Sequence, residues 1–195
     1  MKKVTIFSIL IAALVLQGCG RHKVERIDNK EIIDLSGRWN DSDSRLTAEA
    51  MVDQILSHHW IPEHHRANNG ERPVVVVGLI YNKSHEHINA ETFIKDVERA
   101  FLNTAKVRLV QAGDKREELR RERAGQQEFA SMETAKKWGK EIGADYMLNG
   151  DINSIVDTHK KEKIHYYQVN LELSNLETNE VVWIGDHKIR KYIKN

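Results

Sequence analysis

The run Val74-Val75-Val76-Val77-Gly78-Leu79-Ile80 constrains the fold of this chain more than any other segment. It is apolar throughout and dominated by β-branched side chains, which lose rotamer freedom in a helix but pack well on a pleated surface. A strand with one wet face alternates apolar and polar residues. A strand without alternation is covered on both faces, so the run predicts the interior of a sheet on which helices pack.

The flanking segments supply those helices. Asp34-Leu35-Ser36-Gly37-Arg38-Trp39-Asn40-Asp41-Ser42-Asp43-Ser44 is turn and cap chemistry, and it leads into a helix over about Ser44–Ser57 with Leu46, Ala50, Met51 and Ile55 inward. Residues His58 to Gly70 contain Pro62, four histidines and Asn68-Asn69-Gly70, a loop composition. Asn89 can cap a helix to about Thr104 with Phe93, Val97, Ala100 and Phe101 inward, and Lys106–Val110 reads as a short strand near an edge. Asp114–Gln127 is a charge-rich, solvated helix, and Ser131 opens another that carries Ala135, Trp138 and Ile142 and closes at Gly143.

From Ala144 onward the apolar period becomes two. Tyr146–Val156, Ile164–Leu176 and Val181–Lys191 are three strands joined through Asp157–Lys163 and Glu177–Glu180. The expected fold class is therefore α/β, a mixed β-sheet covered by helices with a C-terminal antiparallel three-strand meander.

With 195 residues, 40% of them hydrophobic, the chain can build one substantial core. A net charge of +1 argues against a general nucleic-acid binder, and a single cysteine excludes a disulfide framework within the chain. That cysteine is placed tellingly. Met1-Lys2-Lys3 is a positive start, and Val4–Leu16 is an apolar run broken only by Thr5 and Ser8, shorter than the roughly 20 residues a spanning helix needs. The run ends in Leu16-Gln17-Gly18-Cys19, which resembles the bacterial lipobox and implies acylation of Cys19. Two or more acyl chains make membrane attachment stable. Gly20 stands where an Asp would favour retention at the inner membrane in enteric bacteria, and so resembles an outer-membrane signal. The expected organisation is a signal peptide over 1–18, a lipidated N-terminus and short tether over 19–34, and a globular domain over 35–195.

The Asp34–Leu46 segment with Ala48-Glu49-Ala50-Met51 closely resembles the start of the globular domain in the LpoB family, the outer-membrane lipoproteins that activate penicillin-binding proteins. Gly143-Ala144-Asp145-Tyr146-Met147-Leu148-Asn149-Gly150-Asp151-Ile152 and Leu173-Ser174-Asn175-Leu176-Glu177-Thr178-Asn179-Glu180-Val181-Val182-Trp183 are also similar to that family. These later segments are shared with other exported lipoproteins whose domain resembles the N-terminal part of TolB. The resemblance implies a TolB N-terminal-domain-like fold and a non-enzymatic regulator that docks on a bifunctional penicillin-binding protein and takes no cofactor. The family's long, often proline-rich linker is replaced here by about fifteen residues, which reach at most about 50 Å.

An aromatic beside an arginine in a displayed turn has the composition of an interface anchor, so Arg38, Trp39, Asn40, Asp41, Asp43 and Arg45 are the candidate partner-binding residues. The alternative for Trp39 is packing beneath the first helix. The best metal candidate is His58-His59-Trp60-Ile61-Pro62-Glu63-His64-His65 with His85 and His87, but no HExxH pattern occurs and Pro62 opposes a regular helix that would present these rings together. No nucleophile elbow and no glycine-rich phosphate loop is present, so no catalytic or metal site is assigned. Lys188, Arg190, Lys191 and Lys194 form a basic C-terminal edge of the kind that keeps strand edges from pairing. Two other readings accompany the leading one: an envelope assembly or secretion-accessory lipoprotein of the broader TolB-like kind, and a metal-dependent hydrolase using the histidine-rich segment.

Overall fold

A computed structural model describes residues 23–28, 31–129 and 141–194. The chain divides into two compact units, Met1–Ile32 and Ile33–Asn195, and all regular structure among the described residues lies in the second. The predicted signal peptide, Cys19 and most of the predicted 131–143 helix lie outside the described residues.

The elements run α1 (Asp41–Ser57), α2 (Trp60–Ala67), β1 (Val74–Asn82), α3 (Ala90–Thr104), β2 (Arg108–Val110), α4 (Gly113–Phe129), β3 (Tyr146–His159), β4 (Glu162–Asn175) and β5 (Val181–Lys194). The five strands form one sheet in the order β2-β1-β3-β4-β5. The three at one end are parallel and the last three antiparallel, with β3 belonging to both sets. This is the expected mixed sheet with its terminal meander, and the short β2 is indeed an edge strand. Val74, Val75, Val76 and Val77 are all buried, as the unbroken valine run requires.

Helices α1 and α3 pack on one another, α1 against β5 and α3 against β1 and β2. Between them and the sheet lies the core: Met51, Val52 and Ile55 of α1, Phe93, Val97 and Phe101 of α3, and Leu148, Ile152, Tyr167, Val169, Leu171 and Leu173 of the sheet. The burial of α1 differs from the expected stripe. Its inward line runs Ser44, Thr47, Ala48, Met51, Val52, Ile55 and Leu56, while Leu46 is 39% exposed. The small polar start of that line lets the helix approach α3 closely, where Ser44 Oγ donates to Asp96 Oδ2 at 2.6 Å.

Two expected loops are ordered instead. Trp60–Ala67 is a helix, because Pro62 occupies its first turn, where N–H groups have no intrahelical acceptor to lose. The first amide to bond within it is Glu63 N, which donates to the His59 carbonyl at 3.2 Å. Trp60 anchors this helix, its indole donating to the Ile55 carbonyl at 2.8 Å and its ring 4.9 Å from that of Tyr146. The β3–β4 connection is not the stretch 157–163 but the two-residue turn Lys160-Lys161, with Thr158 paired to Lys163 and His159 to Glu162. Lys160 takes a positive φ of 53°, which suits the right-handed twist of a tight hairpin. The residues 141–145 leading into β3 are not helical, and Ile142 is exposed.

The opposite face of β3, β4 and β5 carries a polar row, with Ile155 and Ile184 exposed beside it. Tyr166 donates to Gln168 at 2.8 Å, Gln168 to Asn170 at 2.7 Å and Asn170 to Asp151 at 2.9 Å, with Asn153 and Lys83 completing the shell around that carboxylate. Partial burial pushes the Asp151 carboxyl up, but the hydrogen bonds from Asn170, Lys83 and Asn153 outweigh it and hold the group below its ordinary value. Gly150 interrupts β3 because a Cβ there would collide with the Asn170 carbonyl oxygen of the paired strand.

Candidate partner-docking site

The turn that leads into α1 lies against the far end of β5. Gly37 adopts a φ of 68°, a conformation that favours glycine, and a Cβ there would strike the Ile193 side chain. Asp34 Oδ1 accepts from the Gly37 amide at 2.8 Å and Ser36 Oγ from the Arg38 amide at 3.2 Å, so the turn is built from its own short side chains. Lys191 of β5 then fastens it. Its ammonium is 2.7 Å from Asp34 Oδ2 and 2.5 Å from Asp43 Oδ2, and it donates to the Arg38 carbonyl at 2.9 Å.

Partial burial raises the Asp34 carboxyl, but Lys191 and the Gly37 amide more than offset this and keep it below 3.8. Lys191 is thus no edge guard. It stands opposite His165 on the helix-covered face, whereas Lys188 and Arg190 are exposed and pair across to Gln168 and Tyr166 on the other face.

Trp39 is wedged between α3 and the sheet, its ring 6.1 Å from Phe93 and 5.6 Å from Tyr167, both edge-on. Its amide donates to Glu86 Oε2 at 3.2 Å, and Glu86 Oε1 accepts from the Tyr167 hydroxyl at 2.7 Å. Burial first, and then the Glu86 carboxylate, raise the Tyr167 phenol well above its ordinary range. His165 Nδ1 completes the group, 3.4 Å from Glu86 Oε1 and 3.3 Å from the Tyr167 oxygen.

The six sequence candidates therefore serve different ends. Asn40 caps α1, accepting from the Asp43 amide at 3.0 Å while Asp43 accepts from the Asn40 amide at 2.9 Å, a reciprocal capping box. Trp39, Asn40 and Asp43 hold the turn in shape; Arg38 and Asp41 are exposed on it, and Arg45 faces Glu49 at 3.6 Å one helical turn on. Replacing Asn40 with Ala should cost about 1 kcal/mol, read as a lower denaturation midpoint with α1 intact by circular dichroism. Glu86, His165, Tyr167 and Lys191 were not among the candidates. They come from distant segments, Lys191 being 148 residues from Asp43, and no local pattern marks them.

The histidine-rich segment does not assemble a centre. His58 and His59 are exposed, and His64 is buried with Nδ1 3.1 Å from the Tyr146 hydroxyl oxygen. Burial lowers the His64 pKa despite the nearby Asp145 carboxylate. His85 instead meets Ser154 Oγ at 3.2 Å. Among the described residues no group of three or more His, Cys, Asp or Glu side chains is arranged to hold a metal ion.

The family model described as peptidoglycan-synthase activator LpoB matches residues 43–189, most of the chain and all of the sheet except the end of β5. The chain belongs to the LpoB family. Among solved structures it is similar to the LpoB C-terminal domain of Salmonella enterica, at 16% identity over 76% of this chain and 99% of that one, with a TM-score of 0.46. The Escherichia coli LpoB C-terminal domain gives the same values, and lipoprotein GNA1162 of Neisseria meningitidis matches at 13% identity over 62% of this chain and 83% of that one, with a TM-score of 0.42. No curated protein matches the sequence significantly. The LpoB family is one of regulatory activators of peptidoglycan synthesis.

Proposed function

We propose that this LpoB-family protein is an outer-membrane lipoprotein, held by acyl chains at Cys19 and facing the periplasm, that docks on a bifunctional penicillin-binding protein and raises its activity. The family match over 43–189 carries this reading. The lipobox-like Leu16-Gln17-Gly18-Cys19 supports the anchor, since two acyl chains suffice for stable attachment. Docking centres on the turn before α1, where Arg38 and Asp41 are displayed and Trp39, Asn40 and Asp43 keep the display rigid. Arg45, one helical turn further along, extends the same surface.

Such a protein needs no active site. An activator shifts its target only by binding the active conformation more tightly than the resting one, and a tenfold shift takes about 1.4 kcal/mol of differential binding. A rigid, pre-formed turn favours that difference because little ordering is left to be done on contact.

The test is glycan polymerisation by the organism's own bifunctional synthase with and without the full-length chain. Acceleration that saturates with added protein is expected; no acceleration and no binding by any such enzyme would overturn the reading. In cells, Cys19→Ala should move the protein out of the membrane fraction. Unchanged fractionation would sink the anchor while leaving the docking reading to the first experiment.

A further inference from the structure

Beside the turn, a shallow depression of about 300 Å³ opens between the end of the β3–β4 hairpin and the loop before α3. Arg38, Lys163, His85 and His87 stand around it and His165 lines it. Two independent observations give it a chemical character. His165 is 3% exposed, and its Nε2 has no hydrogen-bond partner although Nδ1 is turned to Glu86 and Tyr167. A buried imidazole nitrogen left bare is costly and marks a place where a partner group belongs. Second, among the described residues neither the Arg38 guanidinium nor the Lys163 ammonium forms an ion pair, while the one acid of the lining, Glu86, has both oxygens engaged by Tyr167 and Trp39. The depression thus offers unspent positive charge, and its one carboxylate is already engaged.

We propose that this depression binds a carboxylate, with Arg38 and Lys163 pairing with its oxygens from the rim and His165 donating through Nε2 from the floor. A carboxylate presents two oxygens to such a set of donors, and the planar guanidinium matches it edge to edge. Resting on the function proposed above, the carboxylate is an Asp or Glu side chain of the synthase partner; a free carboxylate has the same chemistry and is separated from it by the test.

Glu86 and the Tyr167 hydroxyl lie against Nδ1, which leaves Nε2 as the ring nitrogen that meets the bound carboxylate. The charged and titratable groups around the ring are Glu86, His85 and His87 from the loop, Tyr167 and Lys163 from β4, Lys191 from β5, and Arg38 with Asp34 from the turn. Glu86 is the compensating charge in direct reach.

The full-length chain, ¹⁵N-labelled at histidine and purified in detergent, is titrated with acetate against chloride at fixed ionic strength. The His165 Nε2 resonance should shift saturably with acetate and not with chloride, and in the Arg38→Ala/Lys163→Ala double variant the dissociation constant should rise at least about tenfold, or about 1.4 kcal/mol. No saturable movement, or the same constant in the double variant, overturns the site.

In the second arm, affinity for the synthase is measured with Lys163→Glu, which changes the depression and leaves Arg38 of the docking turn in place. A loss of about tenfold or more together with competition by acetate assigns the site to a partner side chain. Acetate binding with unchanged synthase affinity assigns it to a free carboxylate. A parent chain that never binds a synthase overturns the functional proposal instead, and the acetate arm then judges the site alone.

Discussion

Phe93→Ala should lower the unfolding free energy by about 3–5 kcal/mol, the range for removing an aromatic from a closed core. Phe93 is fully buried beneath α3, and it is also the edge against which Trp39 stands. Its loss opens a cavity at the junction of α1, α3 and the sheet and removes one of the two aromatic walls that hold the turn. Urea denaturation checks this through the midpoint at an unchanged slope. A loss below about 1 kcal/mol, the scale of surface substitutions, would contradict the packing described here. Synthase activation should fall with it even at temperatures where the variant is folded, because the displayed turn loses its fixed position.

Lys191→Met should cost about 2–3 kcal/mol at neutral pH, since it removes one ammonium from two partly buried carboxylates and a carbonyl while keeping the aliphatic stem. The pH dependence gives the sharper reading. Asp34 has a carboxyl pKa held below 3.8 in the folded protein, so its pairing stabilises the fold above that value and the contribution disappears as pH falls through the lower, folded pKa. The parent should therefore lose stability on acidification that the variant has already lost, and the two should converge in strong acid. Denaturation midpoints measured from pH 7 downward test this. A gap that stays constant into strong acid would show that the clamp acts through packing alone.

Much of this architecture was legible in the sequence, and for identifiable reasons. The valine run needed no neighbour to declare a strand buried on both faces, and Asn89 with Phe93, Val97 and Phe101 declared α3 through a cap and a period of three to four. The failures came where a local signal has two physical meanings. Proline is a breaker inside a helix and harmless in its first turn, so Pro62 read as a loop although it sits in α2. Charged and polar residues at a hairpin tip do not reveal where pairing ends, so Asp157–Lys163 read as a loop although all but the turn pair Lys160-Lys161 is paired.

The candidate site was legible only where it is local. Asn40 and Asp43 announce a cap three residues apart, but the group that fixes Trp39 is gathered from a loop, α3 and β4, and Glu86 lies 47 residues from Trp39 and 81 from Tyr167. Lys191 looked like one of several lysines on an edge strand. Only the register that sets it opposite His165 turns it inward.

The attachment of Asp34 to Lys191 also has a mechanical meaning. A pull on the chain just upstream reaches Asp34 and, through Lys191, is shared among the last strand of the meander, the Arg38 carbonyl and Asp43 at the start of α1. Resistance to such a tug is a matter of how fast that fastening lets go, a rate and not an equilibrium. Joining the entry of the chain to β5 and α1 together spreads such a load over two elements, so the turn yields only when that shared fastening opens.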